Sequence, residues 1–186
     1  MILEIEFNGE NRRPSDWIET DKLISEAIRF ISPDKVTGGV YIGGSTAWFS
    51  TRNPQAKNPS AYLRVSANDM SGYGALIWIT DGQPPRKGGI YDHIWISDNP
   101  APSNIDSWLM SDPYLPTYHD PASAVPLPQI RAAIEEFCRS EGERPECISW
   151  VTGQYNGHRD DKPEPEPISF PDQSGEKYYD GSPWAE

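Results

Sequence analysis

The amino-acid sequence predicts an α+β fold in which two helices pack on a single, mainly antiparallel sheet. Two segments carry apolar residues at helical spacing, whereas the other apolar segments are short and are separated by turn residues. Short connections between successive strands favour antiparallel pairing. A chain of 186 residues suits one domain, and its seven Trp, nine Tyr and five Phe supply large side chains for a core.

The N-terminal segment is predicted to form a strand followed by a helix. Apolar residues recur through residues 2–7, as in a strand. Within residues 19–33 the apolar side chains fall on one helical face. Thr20 or Asp21 can cap the start of this helix, and Pro33 follows its end.

The middle of the chain is predicted to supply most of the sheet. Residues 40–42 and 47–49 are expected to pair as a hairpin, because Gly43 and Gly44 between them tolerate the positive φ of a tight turn. Residues 61–65 alternate between apolar and polar, as expected of a half-exposed strand. Residues 75–80 are apolar on both faces, which indicates a central strand.

The last third of the domain is predicted to contain a strand, a long loop, a helix and a short strand. Residues 90–97 form the strand, and residues 98–124 form an irregular stretch of a length that is usually functional or disordered. A helix is expected over Leu127–Ser140, with Gly142 as its stop. A short strand over residues 148–150 then closes the domain.

Composition divides the chain into an α+β domain over residues 1–152 and an acidic, Pro-rich extension over residues 153–186. The extension has five prolines and no hydrophobic periodicity, so we expect it to be loosely ordered. Cys138 and Cys147 provide neither a disulfide framework nor a zinc site, and we expect two buried, reduced thiols. The N-terminus does not resemble a secretory signal, and no segment is long and apolar enough for a membrane helix, which favours the cytoplasm.

The sequence shows no pattern typical of catalysis. His93, His119 and His158 lack the spacing of a metal site, and the chain has no nucleophile elbow and no phosphate-binding glycine loop. Cys138 could act as a thiol nucleophile, but a cysteine beside Phe137 on a helix is usually part of a core. We therefore expect a binding protein that is not an enzyme and uses no cofactor or metal.

A mixed aromatic and acidic surface is the remaining candidate for function. A net charge of −12 argues against nucleic acid and anionic membranes as partners. It favours a basic protein as partner, or serves solubility alone. Aromatic side chains surrounded by carboxylates suit the anchors and rim of an interface with such a protein. The candidate partner-binding residues are Tyr91, Asp92, Trp95, Asp98, Asp106, Trp108, Asp112, Tyr114 and Tyr118. Trp78 is expected in the core, and the sequence fits a core position for Trp95 equally well.

The segment SAVPLPQIRAAIEEFCRSEGERPECISW resembles the C-terminal signature of the bacterial immunity-protein family Imm class one. The matching features are a proline before a helix, an aromatic residue late in the helix, a Gly-x-Arg-Pro turn and a short strand that ends in Trp. They correspond to Pro126, Phe137, Gly142-Glu143-Arg144-Pro145 and Trp150. The upstream GYGALIWITDG also resembles the family's central strand. The long 98–124 stretch and the acidic tail depart from the family pattern.

The resemblance implies an immunity protein that binds and neutralises a toxin domain in the cytoplasm, the toxins including nucleic-acid-targeting deaminases and nucleases. We expect a 1:1 complex with a basic toxin domain, in which the immunity protein covers the active site. The signature residues are expected to be architectural: Pro145 fixes the turn, Arg144 reaches the carbonyls at the helix end, and Trp150 packs beneath the helix. The alternatives are an acidic adaptor or structural subunit of an unrelated complex, and a small hydrolase that uses Cys138 or a histidine.

Overall fold

The computed structural model describes residues 1–32, 36–37, 40–41, 46–80, 93–102, 107–112 and 117–163. It confirms the predicted α+β class, with two helices and a mainly antiparallel sheet. The helices are α1 (Trp17–Ile31) and α2 (Leu127–Arg139). The strands are β1 (Ile2–Phe7), β2 (Glu10–Arg12), β3 (Val36–Thr37), β4 (Val40–Tyr41), β5 (Ala47–Arg52), β6 (Ala61–Asn68), β7 (Tyr73–Thr80), β8 (Ile94–Asp98), β9 (Met110–Asp112), β10 (Thr117–Tyr118), β11 (Val125–Pro126) and β12 (Ser149–Thr152).

Within these residues, the main sheet has the order β12-β8-β7-β6-β5-β1-β2, and its neighbouring strands are antiparallel. β11 pairs with the start of β7, while β8 pairs with the later part of β7. Two short pairs, β3 with β4 and β9 with β10, lie outside this sheet. The expectation that β7 is central is therefore confirmed.

The two helices cover one face of the sheet and form the core with it. Alternate residues of the strands, among them Phe49, Leu63 and Leu76, are fully buried against Ile134 and Phe137 of α2 and the apolar face of α1. The segments that contain Leu109, Met110 and Tyr155 cover part of the other face. Ser66 Oγ donates to the carbonyl of Met110 (2.6 Å), and an Arg64 guanidinium N–H donates to the carbonyl of Tyr155.

This second cover corrects the expectation that residues 61–65 form a half-exposed strand. Arg64 is 2% exposed, and its guanidinium lies over the rings of Trp48 and Tyr155. Polar residues of β6 therefore face packed chain and not water. The same region bears on the predicted boundary at residue 152: residues 153–163 contact the domain, and Gly153 bridges to Arg159. The boundary itself stays a prediction, and residues 164–186 of the extension lie outside the described residues.

Three further local predictions are wrong. β5 pairs with β1 and β6, and β4 pairs with β3, so residues 40–41 and 47–49 do not form a hairpin together. The cap of α1 is Asp16, whose carboxylate accepts from the backbone N–H of Glu19 at 2.8 Å, and not Thr20 or Asp21. Cys138 and Cys147 are both free thiols, but Cys147 is exposed. Gly43 and Gly44, the proposed turn, lie outside the described residues.

Candidate functional site

The structure places five of the nine candidate partner-binding residues. Trp95 and Asp98 lie on β8, Asp112 lies on β9, Tyr118 lies on β10, and Trp108 precedes β9. The remaining candidates, Tyr91, Asp92, Asp106 and Tyr114, lie outside the described residues.

Trp108 and Tyr118 are in contact beside the β9–β10 pair, and Asp112 ends β9; we name these three residues the hairpin surface. The rings of Trp108 and Tyr118 meet edge to face, with centroids 6.2 Å apart, and their residues are 51% and 45% exposed. Asp112 pairs in register with Thr117, beside Tyr118. Trp108 has a φ of +49°, a left-handed conformation that costs energy for a bulky residue. An exposed tryptophan is thus held out on strained backbone.

The hairpin surface rests on polar anchors beneath it. Ser111 Oγ donates to the carbonyl of Asn156 at 2.6 Å, and the backbone N–H of His119 donates to the carbonyl of Leu109 at 2.8 Å. His119 is buried, and burial, aided by the charge of Arg64, lowers the pKa of His119 to about 3. A depression of about 390 Å³ beside Tyr118 is lined by His119, by Lys162 and by residues 156–159. The described hairpin is therefore tied to the domain through the 153–163 segment.

Asp98 takes part in an internal ion pair. Its carboxylate accepts from Arg159 Nη2 at 2.8 Å, and Asp161 accepts from Nε and Nη2 of the same guanidinium at 2.9 and 2.8 Å. Arg159 is only 3% exposed. Hydrogen bonding to Arg159 holds the pKa of Asp161 below its usual value. This geometry gives Asp98 a structural task that the sequence did not suggest.

Trp95 lies on the helix-covered face, apart from the hairpin surface. It pairs in register with Trp78 of β7, so the two side chains share a face, whereas Asp98, three residues further along β8, points to the other face. Trp78, Trp95, Arg144 and Trp150 line an open cavity of about 950 Å³ beside the end of α2. We name these four residues the tryptophan groove.

Hydrogen bonds from the groove's own side chains fix the turn that follows α2. Trp78 Nε1 donates to the carbonyl of Gly142 at 3.0 Å, and Trp150 Nε1 donates to that of Pro145 at 2.7 Å. Gly142 has a φ of +102°, and a Cβ there would lie 2.1 Å from Thr51 Oγ1, so only glycine fits. Its predicted place at the helix stop is confirmed, since its N–H donates to the carbonyl of Phe137.

Glu136 of α2 fixes the same turn from the helix side. Its carboxylate accepts from the backbone N–H groups of Glu146 and Cys147 at 2.8 and 3.1 Å. Burial opposes ionisation of this carboxyl, but these hydrogen bonds hold its pKa below the ordinary value. The turn is thus held at both ends before any partner arrives.

Arg144 does not reach the helix-end carbonyls, and that expectation is wrong. Its guanidinium lies 3.9 Å from the ring centroid of Trp95 and 5.9 Å from that of Trp78. This stack was not predicted from the sequence. Alternation shows which residues of each strand share a face, but the pairing of Trp78 with Trp95 depends on the register of β7 and β8, which the sequence does not reveal.

The thiols lack the features of catalytic nucleophiles. Burial raises the pKa of Cys138 to about 12. Cys147 is exposed as a residue, but partial desolvation of its thiol and the nearby Glu136 raise its pKa to about 11. Both thiols are therefore protonated near neutral pH. In the part of the chain that the structure describes, no three His, Cys, Asp or Glu side chains gather as a metal site would require.

The fold and its two surfaces define a small α+β domain that presents aromatic side chains to solvent from fixed backbone. The model of the family Immunity protein Imm1 matches residues 43–152, a stretch that contains both the hairpin surface and the tryptophan groove. The chain therefore belongs to the Imm1 family, as its C-terminal signature indicated, and family membership implies an immunity protein that acts against a toxin. Searches of curated proteins and of solved structures returned no match. None of the described helices is long and apolar enough to cross a membrane.

Proposed function

We propose that this protein neutralises one cognate toxin domain by forming a 1:1 complex that covers the toxin's active site, without catalysis of its own. The toxin is a basic domain, of the deaminase or nuclease kind that acts on nucleic acids, and the encounter takes place in the cytoplasm. Membership of the Imm1 family supports the toxin as partner. The hairpin surface is the proposed contact region, together with the candidates Tyr91, Asp92, Asp106 and Tyr114, which lie outside the described residues.

The observation that carries this proposal is the exposed Trp108–Tyr118 pair. Two aromatic rings that are about half exposed, and that contact each other, supply rigid apolar area at low entropic cost. The positive φ of Trp108 adds to the argument, because strained backbone persists only where the surrounding structure holds it in place. The pair is therefore suited to anchor a partner.

Charge supports a basic partner. The chain carries 28 acidic against 16 basic residues, and Asp112 lies within the hairpin surface. A toxin domain that acts on a polyanion needs a basic active-site region, and opposite charges raise the association rate. An acidic inhibitor that binds to that region would exclude the substrate, because both need the same basic surface.

The test compares the affinity of Trp108→Ala and Tyr118→Ala variants for the catalytically inactivated cognate toxin domain. Each truncation is expected to cost about 2 kcal/mol of binding free energy, roughly thirtyfold in Kd, by isothermal titration calorimetry. Phe30→Ala is the matched control, because Phe30 is also an exposed ring (42%) that contacts another ring, Phe7, but it lies on α1. If these variants bind as tightly as the control, the hairpin surface is not part of the interface.

A second measurement tests neutralisation itself. Cells that express the active toxin domain should survive when this protein is co-expressed and should lose protection with the Trp108→Ala, Tyr118→Ala double variant. Growth arrest in the presence of the unaltered protein would contradict the proposed function. Protection by a protein that does not bind the toxin in solution would contradict the stoichiometric mechanism.

A further inference from the structure

Arg144 presents an unused hydrogen-bonding group to the tryptophan groove. Its guanidinium lies over the rings of Trp95 and Trp78 and is attracted by the nearby charge of Glu146, but within the described residues it forms no hydrogen bond and no ion pair within 4.0 Å. This is unlike Arg159 and Arg131, whose guanidinium groups are each engaged by carboxylates. Five N–H donors in a fixed plane remain available in an open cavity of about 950 Å³.

The surroundings of Arg144 keep its guanidinium in one orientation. The turn that carries it is tied down by Trp78, Trp150 and Glu136, through hydrogen bonds of 3.0, 2.7 and 2.8 Å to its backbone. Stacking on a tryptophan face leaves the edge of the guanidinium, where its donors lie, free to face the cavity. Preorganisation of this kind lowers the entropy lost when a partner group is bound.

The chemistry that fits a planar, preorganised guanidinium is a carboxylate bound through two parallel hydrogen bonds. Glu143 and Glu146 also line the groove, whereas Glu136 is already engaged by backbone N–H groups. These two acids disfavour a second acidic group nearby and favour basic side chains on either side of the bound carboxylate. The complementary occupant is thus a segment with one carboxylate flanked by basic residues.

We infer that the tryptophan groove is a second contact surface for the toxin domain, in which Arg144 binds a carboxylate of the toxin while Glu143 and Glu146 contact basic side chains beside it. This inference rests on the proposed function, since it takes the toxin domain as the partner. It does not depend on the hairpin surface, which lies on the opposite face of the sheet. The two surfaces can therefore be tested separately.

The first experiment measures the Kd of Arg144→Gln and Arg144→Lys for the inactivated toxin domain by isothermal titration calorimetry. Loss of a charge-assisted hydrogen-bonded pair should weaken binding by about 10- to 100-fold in the glutamine variant. The lysine variant should recover little of the lost affinity, because lysine keeps the positive charge but lacks the planar guanidinium that donates two parallel hydrogen bonds. Arg139→Gln is the matched control: Arg139 also stacks on a tryptophan, with 3.6 Å to the centroid of Trp17, outside the groove.

Thermal unfolding separates binding from folding. Arg144→Gln and Arg139→Gln each remove one stack of an arginine on a tryptophan, so both variants should show small and similar falls in Tm. If Arg144→Gln binds within twofold of the unaltered protein, the inference is overturned while the proposed function stands. If the unaltered protein fails to bind the toxin domain, both are overturned.

The second experiment identifies the carboxylate. Each Asp and Glu of the toxin domain is changed in turn to Asn or Gln, and affinity is measured with both the unaltered protein and Arg144→Gln. One toxin variant should weaken binding to the unaltered protein at least tenfold and leave binding to Arg144→Gln unchanged. If the effect of every toxin substitution simply added to that of Arg144→Gln, the assignment of a toxin carboxylate as the partner of Arg144 would be overturned.

Discussion

Replacing Asp98 by alanine separates a structural role from an interface role for this carboxylate. Asp98 was predicted to contact the partner, whereas the structure places its carboxylate 2.8 Å from Nη2 of the buried Arg159. We expect Asp98→Ala to lower the free energy of unfolding and to leave the affinity of the folded protein for the toxin domain nearly unchanged.

The size of the effect follows from what remains around Arg159. Removing Asp98 eliminates one charge-assisted hydrogen bond, which contributes about 1.5–3 kcal/mol. The guanidinium, 3% exposed, keeps Asp161 on Nε and Nη2, so its charge is still paired. The loss should therefore stay below the roughly 3–5 kcal/mol expected when a buried charge is left alone. We expect Asp98→Ala to lower the free energy of unfolding by about 2 kcal/mol. When Asp161→Ala is added, the total loss should reach roughly 3–5 kcal/mol, because neither carboxylate is left to pair with Arg159.

Urea unfolding measures the difference. With an m-value of about 2 kcal/mol/M, Asp98→Ala should lower the midpoint by roughly 1 M. Asp160→Ala is the matched control, because Asp160 is exposed and next to Asp161, and its replacement should change stability by less than about 0.5 kcal/mol. An unchanged midpoint for Asp98→Ala together with weakened toxin binding would refute this reasoning and restore Asp98 to the interface.

Three further perturbations are predicted. Since the pKa of folded His119 is about 3, the unfolded chain takes up a proton below about pH 6.5 that the folded chain does not. Stability should therefore fall by about 1.4 kcal/mol per pH unit from pH 6.5 towards pH 4, and His119→Asn should flatten this slope in urea titrations; an equal slope would contradict the buried neutral histidine. Trp150 is only half-buried, so Trp150→Ala should lower the free energy of unfolding by roughly 2–3 kcal/mol and Trp150→Phe by about 1 kcal/mol. Equal losses in the two variants would contradict a packing role for the ring. Asp112→Lys should slow association with the toxin domain in a salt-dependent way, and more than Asp69→Lys, which changes net charge equally on the β6–β7 turn.

Local sequence patterns predicted the elements whose environment is set by their own residues. The apolar stripe of α2, Ile130, Ala133, Ile134 and Phe137, is fully buried as periodicity indicated. The run of apolar residues in β7 also correctly marked a central strand. The start of α1 was missed because Ile18, 82% exposed, interrupts the apolar face and hides the cap at Asp16.

Contacts between distant segments could not be predicted in the same way. Arg64 had the expected alternation of an exposed position, but a segment 91 residues further along the chain covers it. Asp98 similarly meets Arg159, 61 residues away, so a carboxylate that was proposed for a partner is used within the fold. The stack of Arg144 on Trp95 depended on the register of β7 and β8, which sequence spacing alone does not give.

Acidic charge alone would let this protein attract many basic proteins, because long-range attraction raises association rates with little regard to shape. Selectivity must therefore come from groups whose positions are fixed before binding. Trp108 and Arg144 meet that condition: one is held on strained backbone, and the other is stacked on a hydrogen-bonded turn. Charge variants should consequently change kon and its salt dependence, whereas variants at these two positions should change koff. If truncation of Trp108 slowed association and left dissociation unchanged, its role as a fixed anchor would be wrong.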